Sequence, residues 1–336
     1  MSTRELPPHI QILQMGTSYW VSQSIFAAAK LGLADLVVKG PRSAEELAAD
    51  TQTHAPSLYR LMRALASLGI FAEDEQHRFG MTPLAECLLT GPNTQRAMCI
   101  MAGEEHYAAW GEILYSLRTG KVGFDHVYKK PIFEYLAEHQ EQAAIFDQAM
   151  TSIHGVETQA MIDAYDFAGI STLVDTGGGN GTVIKAVLAK YPAMQGILFD
   201  LGHVLERAGP ELTRSGLGSR CQTIAGSFFE SVPPGGDAYL MRHIIHDWTD
   251  EQCHVILQNC RRVMKSGNRL LVVEMVIPPG NSPHWGKLLD LNMMMLPGGK
   301  ERTEVEYRDL FQRAGFRLTR VVPTRMELCI VEGVPI

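Results

Sequence analysis

Leu173-Val174-Asp175-Thr176-Gly177-Gly178-Gly179-Asn180-Gly181-Thr182 begins as an apolar run, ends that run in an acid and passes into a glycine cluster. Val183 to Lys190 then continues at helical spacing before Pro192, so the stretch reads as strand, tight turn and helix. Glycines suit such a turn because they tolerate positive φ and let a ligand approach the main chain, while the helix beyond offers unpaired N–H groups. A dinucleotide fingerprint requires Gly-x-Gly-x-x-Gly, and here Thr182 stands in place of the third glycine. The pattern acid-x-Gly-x-Gly-x-Gly, from Asp175 to Gly181, is complete instead. It suits a ligand with an adenosine and an amino-acid end but no pyrophosphate, such as S-adenosylmethionine. A purely structural turn is the competing reading.

Downstream, strands and helices alternate. Strands are predicted at 171–175, 196–200, 221–225, 237–241, 269–276, 316–322 and 326–332, with helices at 182–190, 203–214, 250–265, about 284–295 and 303–314. Such alternation implies an α/β fold with a doubly wound, mostly parallel seven-stranded sheet. Only Pro323-Thr324-Arg325 separates the last two strands, too short a link for a crossover, so the last strand is predicted antiparallel.

Upstream, residues from about 9 to 115 read as helical. Ser43 with Glu46 forms a capping box, a second helix runs from Ser57 to Leu68, and 70–73 with 78–81 reads as a short hairpin. Two helices and a hairpin outline a winged helix and raise a DNA-binding alternative. Glu73, Asp74 and Glu75 in the hairpin would repel phosphate, which favours a domain that packs on itself or on a partner subunit. The boundaries expected are 1–115 for this domain, 116–165 for a helical connection contributing to a cleft, and 166–336 for the ligand-binding domain. Within the connection, Gly123 to Pro131 is expected to be a loop.

The 336 residues, 46% hydrophobic and 20% charged, describe a two-domain globular chain, and a net charge of −7 argues against general affinity for nucleic acid or anionic membrane. Six cysteines without a C-x-x-C pair suggest reduced thiols, with neither a zinc site nor a disulfide framework. Without an apolar leader or a membrane-length apolar run, a cytoplasmic protein is expected.

Ligands of open α/β sheets sit beyond the carboxyl ends of the strands. Asp200 closes the second strand, where its carboxylate could accept both hydroxyls of a ribose or merely cap the next helix. Ser227 and Phe228 follow the third strand, a place for adenine to stack and hydrogen bond. The fourth runs into Arg242 and then His246-Asp247-Trp248, a base, an acid and an aromatic ring. Glu274 interrupts an otherwise apolar fifth strand, where a carboxylate seldom goes unpaired, and Glu301 follows Pro297-Gly298-Gly299-Lys300.

These motifs together, Asp175 to Gly181, Phe199-Asp200-Leu201, Gly226-Ser227-Phe228-Phe229, His246-Asp247-Trp248 and Gly298 to Thr303, resemble the small-molecule O-methyltransferase family. That family includes caffeic acid and acetylserotonin O-methyltransferases and bacterial tailoring enzymes. The likeness covers nearly the whole chain. It implies a Rossmann-like catalytic domain behind a helical, winged-helix-like dimerisation domain, a homodimer, and metal-independent methyl transfer from S-adenosylmethionine to a hydroxyl of a small aromatic acceptor. By the same resemblance His246 is the general base flanked by Glu274 and Glu301. Gly177, Asp200, Ser227, Phe228, Arg242, Tyr128 and His154 lie on the cofactor side, and Met150, Asp247 and Met293 on the acceptor side. The sequence departs from the plant members at Ser227, Arg242 and Leu296. Methionines 293–295 with Met150 read either as adaptable walls for a flat ring or as ordinary core. A nitrogen or carbon acceptor, a nicotinamide oxidoreductase and a non-catalytic binding protein are the alternatives.

A phenol with pKa about 10 and an ordinary histidine at about 6.5 differ by roughly 3.5 units, or about 5 kcal/mol for full proton transfer. Partial transfer, with a carboxylate stabilising the imidazolium, is the expectation for a phenolic or enolic acceptor.

Overall fold

In the computed structural model, residues 6–91 and 94–336 are described, apart from the side chains of a few helical residues, among them His154. Two compact units divide the chain: residues up to Ala108 together with Leu136–Ile153, and Ala109–Tyr135 together with His154–Ile336. The stretch 116–165 is thus shared between them, and one helix, Gln140–Ala164, passes from one unit to the other.

The second unit carries the sheet. Its strands are β4 (Thr172–Thr176), β5 (Gln195–Asp200), β6 (Cys221–Ala225), β7 (Ala238–Arg242), β8 (Arg269–Met275), β9 (Phe316–Pro323) and β10 (Leu328–Pro335), in the order β6-β5-β4-β7-β8-β10-β9. The five from β6 to β8 run parallel, and β10 lies antiparallel between β8 and β9. Both faces are covered, so the central strands are apolar throughout rather than alternating with polar residues. Leu173, Leu271 and Val273 join one core, while Val174, Leu270 and Val272 join the other, as the two-residue pleat requires. Strand order reverses at β4, whose neighbours are β5 and β7, and the crevice beyond the ends of β4 and β7 is where such a sheet receives ligands.

The first unit contains β1 (Arg42–Ser43), β2 (Ala72–Glu73) and β3 (Arg78–Gly80) as a small antiparallel sheet in the order β1-β3-β2, with helices Ala44–Thr51 and Ala55–Ser67. The hairpin and the capping box are as expected: Ser43 Oγ accepts from Glu46 N, and Glu46 accepts from Ser43 N. A two-residue β1 is too short to leave a period, which is why the sequence pattern misses it. The wing's acids are used locally, Asp74 accepting from Gln76 N and Arg78 N and Glu73 from Tyr59 Oη.

One expectation is overturned. Gly123–Tyr128 is a short helix rather than a loop, closed by Lys129 in the left-handed region at φ 62 before Pro131. Its glycine serves close packing, since a Cβ at Gly123 would press on Met295 and on Ala109 O at 3.1 Å. Among the described residues no helix is long and apolar enough to cross a membrane.

Removing the Ser43 hydroxyl should cost about 1 kcal/mol of local helix stability. In Ser43→Ala, native-state hydrogen exchange of amides in Ala44–Thr51 is expected to accelerate roughly five-fold.

Candidate active site

At the end of β4 the glycines fold the chain sharply: Gly177, Gly179 and Gly181 have φ of 70, 58 and 74°, and the helix Thr182–Lys190 starts at once. Gly177 N donates to Phe199 O, which ties this turn to β5. The β5 carboxylate, Asp200, accepts from Gly179 N at 2.8 Å and from Leu201 N at 2.7 Å. Burial raises its pKa despite those two donors. A side chain at Gly177 would strike Ile244 at 2.6 Å and approach Phe228 at 3.4 Å, so the loop, the residues after β6 and those after β7 meet at one point.

Beyond β6, Ser227 Oγ accepts from Phe229 N, and the rings of Phe228 and Phe229 stand edge-on to Trp248 at 6.1 and 4.8 Å. Trp248 Nε1 is a buried donor without an acceptor among the described residues. An aromatic recess holding a spare N–H donor, an open glycine loop and a carboxylate at the neighbouring strand end fit an adenosine-bearing cofactor.

Beyond β7 the chain makes its tightest construction. Arg242 is buried and donates to Thr158 Oγ1 at 2.6 Å. The 3-10 turn Ile245–Asp247 follows. Glu274, with no exposure near the carboxyl end of the apolar β8, directs Oε1 to the backbone N–H groups of Ile244, Ile245 and His246 at 3.0, 3.0 and 3.4 Å. His246 Nδ1 lies 2.6 Å from Glu301 Oε1 and 3.4 Å from Glu274 Oε2, and its Nε2 lies 3.5 Å from Asp247 Oδ1. Burial works against the charged imidazole, but Glu274, Asp247 and Glu301 outweigh it and lift the His246 pKa to about 10. Burial likewise lifts Asp247 to about 6, against the pull of His246. Glu274 is held below its ordinary value: burial alone would raise it, and His246 and His243 override that.

Two further residues hold this turn that the sequence does not mark as site residues, Arg302 within the motif Gly298 to Thr303 and Asp290 outside any motif. Arg302, fully buried, donates to the carbonyls of Ile245 and Trp248 at 3.0 and 3.1 Å and pairs with Asp250. Asp290 accepts from Glu301 N at 2.9 Å and fixes the backbone that carries that carboxylate. A third, His243, places Nε2 3.0 Å from Glu157 Oε2 and Nδ1 3.5 Å from Glu274 Oε2. Atoms of His243, His246 and Glu274 come within 4.8 Å of one another, a spacing that could bridge a divalent ion. The three N–H bonds to Glu274 and the short His246–Glu301 bond favour a hydrogen-bonded cluster instead.

The structure therefore gathers Gly177, Asp200, Phe228, Ser227, Arg242, His246, Asp247, Glu274 and Glu301 at the carboxyl edge of the sheet. Tyr128 sits in an aromatic trio with Phe124 and Tyr135, at 4.5 and 4.8 Å. Met293 is buried in the helix Gly286–Met295, whose Asn292 accepts from Trp110 Nε1 at 2.9 Å. Met150 belongs to the first unit and packs on the cluster of Ala97, Met101 and Ala149. The His154 side chain lies outside the described residues.

A doubly wound sheet with a glycine loop at its switch point and an inserted antiparallel strand is the methyltransferase form of this architecture. A family described as an O-methyltransferase domain matches residues 110–317, and one described as an O-methyltransferase dimerisation domain matches 13–91. A phenazine O-methyltransferase of Lysobacter antibioticus is 46% identical over 326 residues, covering 97% of this chain and 96% of that one. A phenazine-1-carboxylate N-methyltransferase of Pseudomonas aeruginosa is 32% identical over 327 residues, covering 97% of each. The crystal structure of LaPhzM superposes with a TM-score of 0.94 at 45% identity, covering 98% of this chain and all of that one. An O-methyltransferase of neocarzinostatin biosynthesis, solved with S-adenosylmethionine and 2-hydroxy-5-methyl naphthoic acid, gives 0.85 at 30% identity, covering 94% and 96%. The chain belongs to the O-methyltransferase family, and its cofactor is S-adenosylmethionine.

A Cβ at Gly299 would fall on the backbone of the catalytic turn, 2.6 Å from Trp248 N and closer still to His246 O. Since backbone cannot swing aside, Gly299→Ala is expected to cost about 1–3 kcal/mol in urea unfolding. Turnover should fall with it, because the turn carrying His246 must shift.

Proposed function

We propose that this enzyme methylates a phenolic or enolic hydroxyl on a small fused-ring aromatic of the hydroxyphenazine kind, without a metal, with His246 as general base. The observation that carries the proposal is the buried His246 at the sheet edge, with Nδ1 committed to Glu301 and Nε2 left as the basic atom. The likeness to a phenazine O-methyltransferase over nearly the whole chain supports the acceptor class.

Gly177, Asp200, Ser227, Phe228 and Arg242 would hold the cofactor, with Tyr128 and His154 also assigned to its side, and Asp247, Met150 and Met293 would face the acceptor. When bound, the cofactor supplies a methyl group activated by a sulfonium. The protein's own work is to hold the acceptor oxygen in line and to receive its proton. Alignment of this kind contributes about 7–11 kcal/mol where the geometry is near-attack. His246 Nε2 takes the proton while Nδ1–H donates to Glu301, and Glu301 and Glu274 balance the resulting charge. With His246 lifted to about 10, its proton affinity matches that of a phenol, and the mismatch expected of an ordinary histidine disappears. The cost moves to freeing the imidazole of its proton, roughly 4 kcal/mol at pH 7.

A homodimer is part of the same proposal. Leu13, Met15, Trp20 and Val21, on the helices Pro8–Gly16 and Tyr19–Leu31 in the segment matched by the dimerisation family, are exposed and form apolar surface of the kind that subunits bury. Six free thiols accord with a cytoplasmic location.

His246→Ala should lower kcat by about 10²–10⁴-fold while leaving the affinity for S-adenosylhomocysteine within a few-fold, measured by isothermal titration. Equal turnover in the mutant would remove the base assignment. A base with a raised pKa is protonated at neutral pH, so its active fraction grows with pH. The wild-type kcat should therefore climb about tenfold per unit through the alkaline range until about pH 10, and His246→Ala should lose this climb. Assays with hydroxyphenazines beside the matching aminophenazines identify the acceptor atom, and methylation of the amines alone would overturn the hydroxyl assignment.

A further inference from the structure

His243 is a second buried histidine beside the base, and the mechanism just given does not use it. It stands between the end of β7 and the catalytic turn with φ 53, a left-handed conformation unfavourable for a residue with a side chain. The surroundings hold it there. Nε2 is 3.0 Å from Glu157 Oε2 on the helix Gln140–Ala164, Nδ1 is 3.5 Å from Glu274 Oε2 on β8, and the ring centre is 5.1 Å from that of His246. Both ring nitrogens thus face carboxylates. A neutral imidazole would turn a lone pair on one of them, whereas an imidazolium presents an N–H to each, bonded to Glu157 at 3.0 Å and facing Glu274 at 3.5 Å without a formed hydrogen bond. Burial opposes that charge, and Glu157 and Glu274 overcome it.

We propose that His243 is a positioning residue for methyl transfer, a buried cation that anchors the second oxygen of Glu274 and lowers the proton affinity of His246. The inference rests on His246 being the base. Around that base stand the acids Asp247, Glu274 and Glu301 and the phenol Tyr307, whose ionised form Glu274 and Glu301 disfavour. Glu157 and the buried Arg242 complete the charged groups facing His243 and Glu274. Three carboxylates close to one imidazole bind its proton firmly and would bind it more firmly still without a nearby cation. A cation placed on the far side of Glu274 divides the attention of that carboxylate and repels the proton on His246. His243 is assigned no proton transfer of its own: its Nε2 is committed to Glu157, and its ring stands on the far side of Glu274 from His246 Nε2.

The test is the pH profile of kcat at saturating substrates for the wild type, His243→Asn and His246→Ala. Asparagine is chosen because it tolerates the left-handed backbone. In His243→Asn the acidic limb is expected to move to higher pH by about one unit, a roughly tenfold loss near neutrality that is recovered in alkali, with unchanged affinity for S-adenosylhomocysteine. His243→Lys, which keeps a cation within the cluster, should return the limb toward its wild-type position. An equal loss at every pH, or an unmoved limb, overturns the inference. If His246→Ala keeps the wild-type limb, the base assignment fails; if it loses the limb while His243→Asn does not shift it, only the role of His243 fails. Nitrogen-15 NMR of histidine-labelled wild-type enzyme asks the same question without a variant. His243 should titrate as an imidazolium throughout the neutral range, and a neutral ring there overturns the proposal.

Discussion

A carboxylate with no solvent exposure near the end of an apolar strand is costly unless the protein supplies it with donors and positive charge, and Glu274 has both. One oxygen collects three consecutive backbone N–H groups, those of Ile244 to His246, so the strand and the turn beyond β7 cannot move independently. The other faces two imidazoles. A single side chain therefore fixes both the main chain that presents His246 and the electrostatic setting of its ring. Arg302 grips the same turn from its carbonyl side, at Ile245 and Trp248, so the donors and the acceptors of the turn are each satisfied by one buried charge.

The charges on this edge are arranged to be nearly balanced rather than uniformly acidic. Glu157, Glu274, Glu301 and Asp247 meet Arg242, His243 and His246 beyond the carboxyl ends of β7 and β8. Buried charges survive only when paired and hydrogen bonded, and breaking one pair strands its partner. For that reason such a cluster resists piecemeal change: the proton affinity of His246 belongs to the cluster more than to its ring alone.

The sequence discloses those parts of this arrangement that are encoded locally. The glycine loop needs positive φ at Gly177, Gly179 and Gly181, and only glycines take that conformation without cost, so the turn shows in the residue types. Glu274 shows because a charge breaks an apolar period, and the strands show because both faces of a parallel sheet are apolar. What escapes is set by tertiary contact. Nothing near Glu157 in the sequence marks it as the partner of His243, 86 positions away. Arg302 stands in the Gly298 to Thr303 motif, but its burial under the turn at Ile245 and Trp248 is set by the fold. The loop expected at 123–131 is a helix because packing against Met295 and Ala109 decides its shape, and glycine there answers to crowding rather than to turning.

The high proton affinity of the cluster bears on which acceptors the proposed mechanism can serve. In the proposed mechanism, once His246 has been freed of its own proton, transfer from a phenol is nearly balanced. An alkanol, about as weak an acid as water at pKa 15.7, lies some 6 units away, or about 8 kcal/mol, more than general-base help normally supplies. An aromatic amine attacks through a lone pair already present and loses its proton only afterwards, so it draws little advantage from the base. In the proposed mechanism the cluster built around Glu274 selects among acceptors by acidity before any wall of the pocket selects by shape, which is why the proposal names a hydroxyl on a conjugated ring.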